Sequence, residues 1–172
     1  MKLLLYCTKA KPYLRDKHNV YGDYHCFPQQ VIAANYLNSK IVAECDYEVE
    51  EISPLSNDYY YTEKLGGFTL QYKSCLNANE LDDYLKSKNG YAIHIKNLHI
   101  FDKPRDLDFY SSNFDYFKKV EKAHQNMMRV WEDKENPRVL ISIKSEWLCK
   151  ILNGEKTIEV RKKVLKEMLK DE

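Results

Sequence analysis

The stretch from Val139 to Arg161 constrains the fold most, because three elements follow one another there with almost no linker. Val139 to Lys144 is a short apolar run that is typical of a buried strand. Ser145 then begins a short helix, which Asn153-Gly154 ends. Thr157 to Arg161 alternates polar and apolar residues, so it predicts a second strand. A sheet with a helix packed beside it is therefore expected at this end of the chain.

Three further strands and a second helix are predicted upstream. The strands are Leu3–Thr8, a short apolar run, and Ile41–Glu50 and Tyr91–Leu98, in which residues alternate with a period of two. The helix follows Asn77, since Glu80 three residues later completes a capping box, and Asn89-Gly90 is expected to stop it.

The remaining segments carry weaker patterns. Residues 53–67 read as a loop or an edge hairpin, residues 105–136 as a connecting segment, and residues 162–172 as a terminal helix. About five strands and three helices, mixed without a steady βαβ rhythm, favour an α+β fold built on a small barrel.

Length and composition limit the class of protein. The chain has 172 residues, which fits one domain, and its 44% hydrophobic and 31% charged residues indicate a globular protein rather than a disordered one. No apolar run is long enough for a signal peptide or a bilayer span, so a cytoplasmic protein without a membrane partner is expected. The five cysteines form no C-x-x-C pair and are expected to be thiols.

Charge is distributed unevenly, although the net charge is only +1. Residues 1–20 carry a net +4 and residues 138–172 a net +3, whereas residues 40–63 carry −6. If the two basic ends meet, they form one positive surface suited to phosphates. The alternative is ordinary solvated surface charge.

Polar residues in and beside the last predicted strand suggest a site that binds a phosphate or a nucleobase. Alternation places Thr157, Glu159 and Arg161 on one face, with Lys156 just before them and Lys144 ending the preceding strand. Lysine and arginine bind phosphates and base edges, while a glutamate can accept from a base or hold the arginine. The alternative is an exposed strand with a simple Glu–Arg pair.

The same residues carry a resemblance to a known family. Gly154, Lys156, Glu159 and Arg161 match the pattern G-x-K-x-x-E-x-R, and Lys144 stands where a lysine closes the preceding strand. This segment resembles the opening of the ASCH domain of the PUA-like superfamily. Residues 5–13, 40–50 and 90–104 also resemble ASCH proteins of Firmicute phages and their hosts.

The order of these parts differs from that of the family. An ASCH domain begins with this motif, whereas here the motif comes last, which indicates a circular permutation. On that interpretation residues 1–172 form a single PUA-like pseudo-barrel of about five to six strands with peripheral helices. Residues 105–136 then connect the positions at which a non-permuted domain would begin and end, and residues 139–172 complete the barrel. Two alternatives are that the tail is a truncated second domain or a segment exchanged with a neighbouring chain, and the oligomeric state is open.

The resemblance implies a non-catalytic module that binds RNA or a modified nucleotide, without cofactor or metal. Carried over by position, the expected ligand contacts are Tyr6, Thr8, Lys9, Lys144, Lys156, Thr157, Glu159 and Arg161.

Two other functions remain open. One is a hydrolase of acylated cytidine or of RNA, in which Lys156, Thr157 and Glu159 would act, although the threonine is displaced from the position that the family uses. The other is a protein-interaction module of a phage or mobile element. His18, His25 and Cys26 match no standard zinc spacing.

Overall fold

The computed structural model describes residues 1–8, 38–55, 59–61, 67–112, 118–124, 126–133 and 135–169. These residues form an α+β structure, which confirms the predicted class. The strands are β1 (Lys2–Thr8), β2 (Ile41–Leu55), β3 (Tyr59–Tyr61), β4 (Gly90–Arg105), β5 (Met127–Trp131), β6 (Pro137–Lys144) and β7 (Ile158–Arg161). The helices are α1 (Gly67–Ser74), α2 (Ala78–Leu85) and α3 (Ser145–Leu152), and 3-10 turns cover Leu107–Phe109 and Lys166–Leu169.

The strands form one mixed sheet in the order β5-β6-β1-β2-β4-β7, with β3 paired to β2. β1 and β6 run parallel, from Lys2 opposite Arg138 to Thr8 opposite Lys144. The pairs β1–β2, β2–β3, β4–β7 and β5–β6 are antiparallel. Over the described strands the order has two ends, β5 and β7, so the sheet is not closed into a barrel. The PUA-like pseudo-barrel stays a prediction.

The chain divides into two compact units, each built from two separate stretches of sequence. Unit 1 comprises Met1–Cys45 and Leu98–Leu152. β1 lies between β2 and β6 in it, and a buried apolar cluster packs on one face of these strands. The members of this cluster are Leu4, Ile41, Phe101, Tyr110, Val120, Val130 and Leu140.

Unit 2 comprises Asp46–Asn97 and Asn153–Glu172. Its buried cluster joins side chains of α1 and α2 to side chains of β2, β3, β4 and β7. The members are Ile52, Tyr60, Leu70, Leu81, Leu85, Ala92, Ile158 and Val160. The predicted inward positions of β7 are thus confirmed, since Ile158 and Val160 both belong to this cluster.

Element ends follow local chemistry where the sequence carries it. The capping box of α2 is present, with Asn77 Oδ1 accepting from the Glu80 N–H at 2.9 Å and Glu80 Oε2 accepting from the Asn77 N–H at 2.8 Å. Gly154 follows α3 at φ +83°, a conformation that favours glycine, as the predicted helix end requires. However, α2 ends at Leu85, earlier than predicted, because Lys86 takes the left-handed conformation at φ 57°.

Other elements also differ from the sequence-based expectation. α1 was not predicted, and β5 lies inside the segment interpreted as a connection. β4 continues to Arg105, well beyond Leu98. The terminal helix expected over 162–172 is wrong for the described part, which holds only the 3-10 turn Lys166–Leu169. In the part of the chain that the structure describes, no helix has the length and apolar character needed to cross a membrane.

Candidate functional site

The end of helix α1 explains where the motif residues of unit 2 lie. The Leu76 N–H donates to Gln71 O at 3.2 Å, and the Cys75 N–H donates to Tyr72 O at 3.3 Å. With Cys75 at φ 57°, these two bonds form a Schellman motif, which satisfies two of the last carbonyls of the helix. The carbonyls of Lys73 and Ser74 are left for partners outside the helix.

The motif supplies those partners. The Thr157 N–H donates to Lys73 O at 2.9 Å, and Lys156 Nζ donates to Ser74 O at 2.6 Å. A cation is favoured at a helix carboxyl end, where the helix dipole is negative. Lys156 therefore caps α1, and the residues that precede β7 hold the end of this helix in place.

Glu159 joins the two cations of the motif. Its Oε2 lies 3.3 Å from Lys156 Nζ, and its Oε1 lies 2.9 Å from Arg161 Nε. Lys156 is only 2% exposed, and the side chains of Glu159 and Arg161 are 11% and 12% exposed. Burial lowers the pKa of Lys156, and the neighbouring Glu159 carboxylate opposes that shift. The predicted polar face of β7 is therefore mostly withdrawn from solvent.

Thr157 differs from its neighbours because its side chain is exposed. Its backbone is engaged at both ends, since its carbonyl accepts from the Ile95 N–H at 2.9 Å while its own N–H caps α1. Thr157 thus ties β4 to α1, and its hydroxyl is left on the surface.

Unit 1 contains a cleft of about 820 Å³ at the carboxyl end of β1. Tyr6 and Thr8 lie on its β1 side, and Ser39 lies beside them. The opposite wall is formed by residues 106–108 and 119–123. Lys144 is exposed and is the register partner of Thr8 on β6. Lys9, the remaining predicted contact, lies outside the described residues, as do His18, His25 and Cys26.

A charged network that the sequence did not predict supports one wall of this cleft. The Arg105 guanidinium lies 3.9 Å from the Phe101 ring centroid and 4.8 Å from that of Phe109. It also donates to Tyr110 Oη at 2.8 Å and to Glu132 Oε1 at 3.3 Å. Burial raises the pKa of Tyr110, and Arg105 opposes the shift. These contacts fix both ends of the turn that carries Leu107.

The network continues to a second arginine. Glu132 Oε2 lies 3.3 Å from Arg138 Nη2, and Glu44 Oε2 lies 3.9 Å from Arg138 Nε. Its members come from β2, β4, β6 and the residue after β5, so no sequence spacing could have indicated the network. The folded chain alone brings them together.

The predicted site residues fall into two groups. Tyr6, Thr8 and Lys144 belong to unit 1. Lys156, Thr157, Glu159 and Arg161 belong to unit 2, where three of them form one ion-paired network. Across the described ranges, no group of three or more His, Cys, Asp or Glu side chains is placed to hold a metal ion.

Comparison of the chain with family models, with curated proteins and with solved structures gave no match.

Proposed function

We propose that this protein is a non-catalytic RNA- or nucleotide-binding module of the PUA-like, ASCH type. The observation that carries the proposal is the cleft of unit 1, whose volume of about 820 Å³ suits a small organic ligand. Tyr6 supplies an aromatic ring on which an unpaired base can stack, and Thr8 supplies a hydroxyl that can donate and accept.

Cations near the cleft support a nucleic acid as the wider ligand. Lys119 and Lys122 lie on its wall, and Lys144 is exposed next to Thr8 in the register of β1 and β6. Lysines at the edge of a cleft can follow the phosphates of a strand whose base enters the cleft.

The motif of unit 2 has a more indirect role in this proposal. Lys156 and Glu159 are engaged with α1 and with Arg161, so these three side chains stabilise unit 2 rather than contact the ligand in the cleft.

The test is binding of fluorescent single-stranded RNA, measured by anisotropy at two salt concentrations. We expect affinity to fall as salt rises, because phosphate contacts release counterions. Replacing Lys119, Lys122 or Lys144 by alanine is expected to weaken binding about threefold to tenfold each, by analogy with single phosphate contacts. Lys103→Ala, an exposed lysine of unit 1 outside the cleft, is the matched control. No RNA binding at low salt, or binding that all three variants leave unchanged, would contradict the proposal.

One observation favours a hydrolase as the second candidate. The side chain of Thr157 is exposed, and its neighbour Lys156, whose pKa burial lowers, lies beside Glu159. Incubating the protein with acylated cytidines and with RNA, followed by chromatography of the products, tests this activity. Product that forms with wild type and is lost in Glu159→Gln would favour the hydrolase over the binding module.

A further inference from the structure

We infer that the cleft of unit 1 takes a nucleobase with its ribose and leaves the phosphate outside. This inference rests on the proposed function and specifies which part of the ligand enters the cleft. It follows from the charges, the apolar floor and the hydroxyl groups of the residues that line it.

The charges of the lining do not suit a phosphate. Among the residues that the structure describes, the lining carries three carboxylates, Asp106, Asp108 and Glu121, against two ammonium groups, Lys119 and Lys122, which gives 2 − 3 = −1. Lys40, which forms an ion pair with Asp106, brings the balance to zero. A phosphate that entered would meet carboxylates at close range without an excess of positive charge, and like charges at such distances repel.

Two arginines described in unit 1 near this wall, Arg105 and Arg138, already contact carboxylates or aromatic rings of the protein. Arg105 is stacked between two phenylalanine rings and bound to Tyr110 and Glu132, and Arg138 is paired with the same glutamate. Bidentate binding of a phosphate would require one of them to leave its carboxylate. The described part of the wall therefore offers lysines at its edge but no guanidinium fork.

The same lining suits a planar, uncharged ligand. Tyr6 and Leu107 pack against the buried cluster of unit 1, so the floor of the cleft is continuous with apolar core. Base stacking on an aromatic ring is favourable and tolerates every base. Thr8 and Ser39 contribute hydroxyls, and Asp108 and Glu121 contribute acceptors for amino and ribose hydroxyl groups.

The experiment compares each of the four nucleosides with its 5′-monophosphate by isothermal titration calorimetry on the full chain. Inorganic phosphate and ribose 5-phosphate serve as competitors. We expect at least one nucleoside to bind within about threefold of its monophosphate, since the phosphate adds little when it lies in solvent. We also expect neither competitor to displace it.

Substitutions in the cleft separate the two modes of binding. Asp108→Asn and Glu121→Gln keep the shape but weaken the acceptors, so nucleoside affinity is expected to fall about threefold to tenfold. If the phosphate occupied the cleft, the same changes would raise monophosphate affinity. Asp102→Asn, an exposed aspartate outside the cleft, is the matched control. Tyr6→Leu is expected to remove nucleoside binding, and its urea midpoint shows whether it still folds.

The outcomes separate this inference from the proposed function. A monophosphate that binds more than about tenfold tighter than its nucleoside, with inorganic phosphate competing, overturns the inference and leaves nucleotide binding intact. RNA binding without any nucleoside binding also overturns the inference alone. If RNA, nucleotides and nucleosides all fail to bind, both the function and the inference are contradicted.

Discussion

At the scale of single residues, unit 2 holds a buried charge at Lys156, which is 2% exposed. Taking an ammonium group out of water costs several kcal/mol, by the general estimate of about that size for buried ions. The cost is offset here by the Ser74 carbonyl, the α1 dipole and the Glu159 carboxylate. Removing the lysine leaves the glutamate buried without this partner, whereas removing the glutamate leaves the ammonium without its counterion.

Lys156→Met is expected to destabilise the protein by about 3 kcal/mol, because it removes one partner of a buried ion pair and uncaps a helix. Urea unfolding followed by circular dichroism measures the loss. Lys88→Met, an exposed lysine of the same unit, is the control and should stay within about 0.5 kcal/mol of wild type. A Lys156→Met protein of wild-type stability with much weaker RNA binding would show that Lys156 is instead a direct ligand contact.

Cys7 gives unit 1 an alkaline sensitivity. Burial raises the pKa of its thiol from 9.0 to about 12. Above pH 9 the unfolded thiol loses its proton while the folded one keeps it, so stability falls as pH rises from 9 towards 12. By pH 10.5 this group is expected to cost wild type about 2 kcal/mol, and Cys7→Ala should lack that part of the loss. Parallel pH profiles of the urea midpoint for the two proteins would contradict this expectation.

At the scale of elements, α2 depends on its capping box. Asn77→Ala removes the acceptor of the Glu80 N–H and is expected to cost about 1 kcal/mol, the usual size of an N-cap. Asn79→Ala changes the same residue type two positions later in the helix, where it is exposed, and should be neutral or slightly stabilising. Thermal unfolding of the two variants measures the difference, and equal melting temperatures would show that the cap contributes nothing.

The close approach of α2 to the start of β4 depends on Gly90. A Cβ at this position would lie 2.6 Å from Leu85 Cδ2 and 3.1 Å from the Arg161 carbonyl oxygen. Gly90→Ala is therefore expected to cost about 1–3 kcal/mol, as overpacking does. In a Leu85→Ala background the same change should cost less, because the nearest atom is gone. Additive costs in the double-mutant cycle would show that the contact with Leu85 is not the cause.

At the scale of the whole molecule, the strands near the carboxyl end complete pairings begun near the amino end. β6 lies between β1 and β5, and β7 pairs with β4 from Tyr91–Arg161 to His94–Ile158. Each unit takes one of its two stretches from the first part of the chain and one from a later part. Neither unit is complete in a chain that stops before β6.

A fragment of residues 1–136 is therefore expected to lack cooperative unfolding, since β1 and β4 each lose a neighbouring strand. Far-ultraviolet circular dichroism and urea titration of this fragment, alongside the full chain, test the expectation. A fragment that unfolds with a sharp transition would show that residues 137–172 are an appendage rather than part of the fold. Such a result would also contradict the interpretation that these residues complete the domain.

The sequence predicted correctly those elements that have a local signal, such as a cap, a terminating glycine or a regular alternation of residues. The capping box at Asn77, the glycine after α3 and the period-two alternation of β2 and β4 each act within a few residues, so sequence is sufficient to read them. α1 and β5 lack such signals. α1 has two exposed aromatic residues, Phe68 and Tyr72, and β5 is short, so only pairing and packing establish them.

The candidate site divides in the same way. The structure joins Lys156, Glu159 and Arg161 in one ion-paired network. The sequence predicted these residues as ligand contacts of one site with Lys144, Tyr6 and Thr8, and that wider site stays a prediction. The sequence did not predict that Lys156 would be buried against the end of α1, because that contact joins residues 82 positions apart. Nor did it predict the wall of the cleft, whose residues lie in a weakly patterned segment.

By itself, the sequence determined the α+β class, most strand and helix positions and the chemical groups available for binding, because these depend on local periodicity and residue type. Only the tertiary structure decided which of those groups stay accessible. Burial depends on how the whole chain packs. In the folded chain Lys156 is buried as a helix cap, whereas Tyr6 and Thr8 line an open cleft.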